Sequence, residues 1–126
     1  MEVVYSSSDS YAGVMAISLV SLLESNSDAE NITVHIISNG ISEKNAAILR
    51  GIVERYGRGI DIVALPDLNE IASVEIDFKQ HNIATFARLF LAQLFPNLSR
   101  AIFIDCDTIV VDSLGELWSR ELRVDS

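Results

Sequence analysis

Short apolar runs alternate along this chain with longer stretches of helical periodicity, and that alternation constrains the fold more than any single residue does. Glu2-Val3-Val4-Tyr5 reads as a first strand, ending in the polar cluster Ser6-Ser7-Ser8-Asp9-Ser10. A helix follows from Tyr11 to Ser25, with Ala12, Met15, Ala16, Leu19, Leu22 and Leu23 at helical spacing. Asp9 or Ser10 stands where it can accept from the first free amides of that helix. Asn31 to Ser38 is a second strand, and Asn39-Gly40 a turn. Ser42 caps a second helix whose stripe is Ala46, Ile48 or Leu49, Ile52 and Val53, fading at Tyr56-Gly57. Ile60 to Leu65 is a third strand, closed by Pro66. Asp67 to Ala72 reads as one helical turn, Ser73 to Asn82 as a loop, and Ile83 to Phe95 as a strongly apolar helix stopped by Pro96-Asn97. Ala101 to Ile104 is a short buried strand, Ile109 to Val111 a further extended piece, and Leu114 to Trp118 a helical turn. This order predicts an α/β fold, a mostly parallel sheet with helices on both faces. Such sheets bind ligands outside the carboxyl ends of their strands.

Composition narrows the function classes. A length of 126 residues predicts a single domain, residues 1–126, and 49% hydrophobic residues are enough to build a core. Nine Lys and Arg against eighteen Asp and Glu give a net charge of -9. That field repels phosphate backbones and anionic lipid, so nucleic acid is not expected as a partner. One cysteine excludes an internal disulfide and suits a reducing compartment. Met1 to Tyr5 lacks the basic n-region of a signal peptide. The longest apolar stretch, Ala12 to Leu23, is too short for a membrane span and is interrupted by Ser18 and Ser21. A cytoplasmic protein is therefore expected. Neither G-x-G-x-x-G nor G-x-x-x-x-G-K occurs.

The most informative stretch is Ala101-Ile102-Phe103-Ile104-Asp105-Cys106-Asp107, four apolar residues running into two carboxylates at i and i+2. In extended backbone Asp105 and Asp107 project to one side, while Cys106 points elsewhere, inward. Adjacent carboxylates repel, and a divalent cation removes the repulsion. Oxygen-only ligands favour Mg²⁺ or Mn²⁺ and leave open positions for a diphosphate. The tripeptide alone is equally compatible with two solvated strand-end residues. Cys106 reads as a small core residue, since no basic group is placed to activate its thiol.

Arg88 is the only Lys or Arg between Lys79 and Arg100, amid Ile83, Phe86, Leu89, Phe90, Leu91, Leu94 and Phe95. A cation on so apolar a helix needs a partner, or must snorkel to water. Asp105, Asp107, a phosphate or a sugar hydroxyl would each serve. Tyr11, at a helix start, suits stacking on a planar ring or ordinary aromatic packing. His35 lies in a strand and reads as structural, His81 as a loop residue, and Trp118 as core or interface.

Taken together and in order, these residues resemble the amino-terminal half of glycosyltransferase family 8. That retaining group includes bacterial lipopolysaccharide galactosyl- and glucosyltransferases and glycogenin. Three motifs carry the resemblance. The first is Ser7-Ser8-Asp9-Ser10-Tyr11-Ala12 with Ser18-Leu19-Val20-Ser21-Leu22-Leu23, and the second is Thr85-Phe86-Ala87-Arg88-Leu89. The third is Ile104-Asp105-Cys106-Asp107-Thr108-Ile109-Val110-Val111, then Leu114 and Leu117-Trp118. The resemblance implies a Rossmann-like GT-A domain that binds a UDP-sugar and passes its hexose to a saccharide or lipopolysaccharide-type acceptor. It implies a donor site of Ser7, Asp9, Tyr11, Arg88, Asp105, Cys106 and Asp107, with Asp9 and Tyr11 at the uridine. It also implies Arg88 near the donor sugar and diphosphate, Asp105 and Asp107 holding Mn²⁺ or Mg²⁺, Asp105 and Arg88 as catalytic residues, and His81 on the acceptor side. The metal would act as a Lewis acid on the departing UDP.

The chain departs from the family pattern in three places. Ser8 stands where an acidic or amide residue is frequent, Ser10 where Asn is frequent, and only 19 residues follow Asp107. The family's later part normally brings a third metal ligand, a histidine, and the acceptor site. The expectation is thus a partial domain, weak or inactive alone, and a homodimer through its uncovered apolar surface and sheet edge. The alternative is a binding or assembly module without chemistry. A haloacid-dehalogenase phosphatase is disfavoured because Ile109 occupies its Thr position and no lysine follows Lys79. A receiver domain is disfavoured for the same missing lysine and because Asp9 stands alone after the first strand.

Overall fold

The computed structural model describes residues 1–65 and 94–119. Within them the chain runs β1 (Glu2–Ser8), a 3-10 turn (Asp9–Tyr11), α1 (Ala12–Ser25), β2 (Thr33–Asn39), α2 (Glu43–Arg55), β3 (Gly59–Ala64), β4 (Ile102–Phe103) and α3 (Gly115–Ser119). The four strands form one sheet in the order β3-β2-β1-β4, with every pairing parallel. The α/β parallel sheet expected from the alternation is thereby present. Its order reverses at β1, since β2 and β3 add on one side and β4 on the other.

Period-two alternation sorts each strand between two faces. Val3, Tyr5, Val34 and Ile36 point to one face, where they pack with Met15, Leu19, Leu22 and Leu23 of α1 and Leu49 and Val53 of α2. Val4 and Ile37 point to the other, where Phe95 packs with Leu94, Leu98, Val63 and Phe103. Both described long helices thus share one face. The opposite face is covered by residues at the carboxyl end of the apolar stretch expected as a helix, the rest of which lies outside the described residues. Asp67 to Asn82, His81 and Arg88 lie outside them as well.

The ends of α2 follow directly from its sequence. The Ser42 hydroxyl accepts from the Asn45 amide at 3.2 Å, as expected of an N-cap. At the other end Gly57 adopts φ +69°, and the Gly57 and Arg58 amides return to the carbonyls of Glu54 and Val53. That is the left-handed closure glycine permits. α1 ends differently. Asn26 is fully buried, its amide group donating to the Leu22 carbonyl at 2.9 Å. Arg58 donates to the Asn26 and Glu30 carbonyls, setting a cation against the negative end of α1.

His35 is structural, as its place in a strand suggested. It is buried on the second face, bonded through Nε2 to Glu2, 3.7 Å through Nδ1 from Asp61, and tilted against the Phe95 ring. Trp118 is half-buried, with the Arg100 guanidinium over its ring and donating to its carbonyl. No described helix is long and apolar enough to cross a membrane.

The core argument carries a direct test. Leu19 is fully buried between α1 and the sheet, whereas Ile17 is 63% exposed. Leu19→Ala should lower the unfolding free energy by about 2–5 kcal/mol. Ile17→Ala should change it by about 0.5 kcal/mol or less. Urea denaturation followed by circular dichroism distinguishes the two.

Candidate functional site

The reversal of strand order puts the carboxyl ends of β1 and β4 side by side. Val3 pairs with Ile102 and Val4 with Phe103, and the Ile104 amide donates to the Val4 carbonyl at 2.9 Å. Beyond this last rung the two segments separate: β1 continues beside β2 to Ser8 and then turns through Asp9 to Tyr11, while the other leaves the sheet as Asp105 to Thr108. A crevice at such a reversal is where open parallel sheets take ligands.

On the β1 side, strand geometry extends to Ser8, three residues beyond the expected end at Tyr5. Ser7 is buried and its hydroxyl donates to the Ser8 carbonyl at 2.8 Å. Ser8 and Ser10 share a hydroxyl–hydroxyl bond. Tyr11 is 55% exposed at the junction with α1, so its ring is available at the mouth rather than packed in the core. Neither Asp9 nor Ser10 caps α1, contrary to expectation, because the 3-10 turn places Asp9 away from the helix amides. Asp9 reaches α2 instead. One carboxylate oxygen accepts from the Ser42 amide and from the Asn45 side-chain amide, both at 2.8 Å. These bonds, the backbone one first, hold the Asp9 carboxyl below its ordinary value although it is exposed.

On the β4 side, the carboxylate pair does not lie on extended backbone. β4 ends at Phe103, and Asp105-Cys106-Asp107-Thr108 forms a turn. The Asp105 carbonyl accepts twice, from the Thr108 amide at 3.3 Å and the Thr108 hydroxyl at 2.7 Å. Asp105 and Asp107 are exposed. Cys106 packs partly buried against the core, as expected, and burial pushes its thiol up, which leaves it a poor nucleophile. The turn follows from the sequence. Burial of Ile104 and Cys106 against the core pins both flanks of Asp105, and a following threonine closes the loop through its side chain.

What holds this turn was not evident in the sequence, where Ser18 and Ser21 appear only as breaks in an apolar stretch. They form one polar stripe of α1 with Ser25. The Tyr5 hydroxyl lies 2.9 Å from Ser18 Oγ, which lies 3.4 Å from Thr108 Oγ1. Ser21 Oγ accepts from the Val110 amide at 2.8 Å, and Ser25 donates to the Val110 carbonyl at 2.8 Å. Asn26 Oδ1 accepts from the Leu114 amide at 2.7 Å. The stretch after the turn, expected as a further extended piece, runs along α1 on side-chain hydroxyls and does not join the sheet. The detectable signal was the i, i+3, i+7 spacing of three serines, a helical face rather than an interruption.

A metal fits the chemistry of this mouth in part. Two carboxylates on a short turn, with no soft donor aimed outward, match the one or two carboxylates by which Mg²⁺ is held beside substrate phosphates. Among the described residues no group of three or more His, Cys, Asp or Glu is assembled to hold a metal ion.

The Asp9 clamp has a pH consequence. Its depressed carboxyl contributes stability above the ordinary carboxylate range, and that contribution is lost as pH falls through the folded value. Asp9→Asn keeps an acceptor for both amides without the charge. Its melting temperature should fall less than that of the unaltered chain between pH 7 and pH 3, while Asp9→Ala should melt lower at pH 7. Thermal melts across this range measure both.

Relatives agree with the architecture. The sequence pattern described as glycosyl transferase family 8 matches residues 2–125. A putative glycosyltransferase of Haemophilus influenzae is 26% identical over 122 residues, 97% of this chain and 36% of that protein. The crystal structure of the galactosyltransferase LgtC with donor and acceptor sugar analogs superposes with a TM-score of 0.80 at 27% identity. It covers 96% of this chain and 43% of that one. The bifunctional glycosyltransferase WbbM gives the same TM-score at 26% identity, covering 98% of this chain and 21% of its own. The chain thus spans less than half the length of these relatives. With nearly every residue inside the matched pattern and a sheet that superposes on LgtC, the chain belongs to glycosyl transferase family 8.

Proposed function

We propose that this chain forms the nucleotide-sugar-binding part of a retaining hexosyltransferase, taking a UDP-hexose as donor with Mn²⁺ or Mg²⁺. One observation carries the reading: the polar end of β1 and the Asp105–Thr108 turn flank the reversal point of a parallel sheet. The family and the donor and acceptor sugar analogs held by LgtC support it.

In this reading Tyr11, exposed at the mouth, stacks on the uracil. Asp9 acts beside it. Ser7 and Cys106, whose side chains turn inward, contribute backbone to the two walls of the crevice. Asp105 and Asp107 hold the metal, which when bound supplies Lewis-acid stabilisation of the leaving diphosphate. Asp105 also lies on the sugar side. Arg88 falls outside the described residues, and its role toward the donor sugar rests on the family resemblance. The acceptor is a saccharide, and this span alone transfers sugar weakly or not at all. The exposed Ile17 and Val111 make a homodimer the expected state in solution.

Calorimetry tests the reading. UDP should bind the chain in the presence of Mn²⁺ and bind at least about tenfold more weakly in EDTA. Asp107→Ala should abolish the difference without unfolding the chain. Equal affinity with and without metal would favour a binding module that lacks the chemistry. A UDP-release assay with UDP-glucose and UDP-galactose should give little turnover, and vigorous turnover would contradict the partial-domain reading.

A further inference from the structure

Donor counting gives the hydroxyls of Tyr5, Ser18 and Thr108 a direction. Thr108 has one hydroxyl proton and gives it to the Asp105 carbonyl at 2.7 Å. Toward Ser18 it can then only accept, so Ser18 donates to Thr108 and must accept from Tyr5. The result is a one-way series, Tyr5 to Ser18 to Thr108 to the Asp105 carbonyl, whose middle step, at 3.4 Å, is a polar contact longer than an ordinary O–H···O bond. It starts at a fully buried residue of the central strand and ends on the turn that bears both carboxylates. Burial pushes the Tyr5 phenol up to about 12, so it stays a donor at any physiological pH. The final bond matters most. The Thr108 amide reaches the same carbonyl only at 3.3 Å, at the long end of the range, whereas the hydroxyl bond has the usual O–H···O length.

We propose that Thr108, held by Tyr5 and Ser18, is a positioning residue that sets the direction of Asp105 and Asp107 and thereby the metal-dependent part of nucleotide binding. This rests on the donor-site reading above. Thr108 itself touches neither metal nor nucleotide. It acts through the carbonyl of one proposed ligand and the backbone next to the other. Residues that orient metal ligands in this way typically change metal affinity by about ten- to a hundredfold when removed.

The test uses the full chain with Thr108→Val, Thr108→Ser, Ser18→Ala and Tyr5→Phe. UDP is titrated by calorimetry in Mn²⁺ and in EDTA, and amide hydrogen exchange is followed across residues 104–110 and across β1 and β2. Thr108→Val should weaken Mn²⁺-dependent UDP binding about tenfold. It should leave binding in EDTA unchanged and speed exchange in the turn but not in the strands. Thr108→Ser should stay within about twofold of the unaltered chain, because the hydroxyl is what matters. Ser18→Ala and Tyr5→Phe should move the same way by less. A Thr108→Val chain with unaltered Mn²⁺-dependent affinity overturns the proposal whatever its exchange shows, and so does an equal loss in Mn²⁺ and in EDTA. If the unaltered chain shows no Mn²⁺ enhancement, the donor-site reading fails on its own. Exchange then decides: faster turn amides in Thr108→Val than in Thr108→Ser uphold the positioning role, and equal rates overturn it.

Discussion

Everything at the mouth of this sheet depends on the parallel pairing of β4 with β1. Two residue pairs and the Ile104–Val4 bond make up that contact, far less than the seven pairs between β1 and β2. Yet it alone brings the Asp105–Thr108 turn beside Ser7 to Tyr11. So short an edge strand contributes little by its own ladder. Its position is stabilised on both sides of the sheet. Ile102 and Ile104 pack among the α1 side chains, and Phe103 packs with Val4 and Phe95 on the opposite face.

The polar stripe of α1 completes that attachment. A segment that leaves a sheet carries backbone groups that need partners when partly buried. Ser21, Ser25 and Asn26 supply them to Val110 and Leu114, so residues 108–114 run along the helix as if it were a neighbouring strand. The arrangement explains why α1 carries hydroxyls on a half-buried face where apolar residues would pack as well. Removing one hydroxyl leaves a backbone group without its bond, a cost of about 1–3 kcal/mol where it is buried.

Local signals made much of this legible in the sequence. Strand and helix order followed from the alternation of Val3-Val4-Tyr5, the Met15–Leu19–Leu22 stripe and Ile32 to Ile37. Ser42 and Gly57 marked the ends of α2 through capping chemistry that depends only on neighbours. Most of the misreadings share one physical cause, partners distant in sequence. Asp9 bonds 33 and 36 residues away, to Ser42 and Asn45, and so leaves α1 uncapped. Asp105 and Asp107 sit on a turn because Thr108 and α1, not the sheet, take over beyond Phe103. Ser18 meets Thr108 across 90 residues. A pattern read in windows of ten registers these serines as interruptions, whereas the fold uses them for contacts 85 to 90 residues away. The proposed donor-site residues rest on the ordered motifs of a family, since two carboxylates at i and i+2 are equally at home on a solvated turn.

Exposure then limits what such a mouth does chemically. Asp105 and Asp107 are exposed, and water screens the repulsion between two such charges strongly. By the same screening, a cation gains little from each carboxylate taken separately. In the proposed reading affinity comes from simultaneous contacts: two carboxylates in fixed relation, a diphosphate, and a base on the Tyr11 ring. Fixing that relation is worth more to an exposed site than to a buried one, because there is little Coulombic energy in reserve to reorganise a loose turn. The proposed anchoring through Tyr5, Ser18 and Thr108 starts at a buried residue of β1 and adds no charge to a chain that already carries a net charge of -9. Transfer of a sugar requires more, namely exclusion of water from the reacting carbon and preorganised dipoles around it. In the proposed reading the exposed residues at this mouth hold a donor, and transfer needs water excluded from above them.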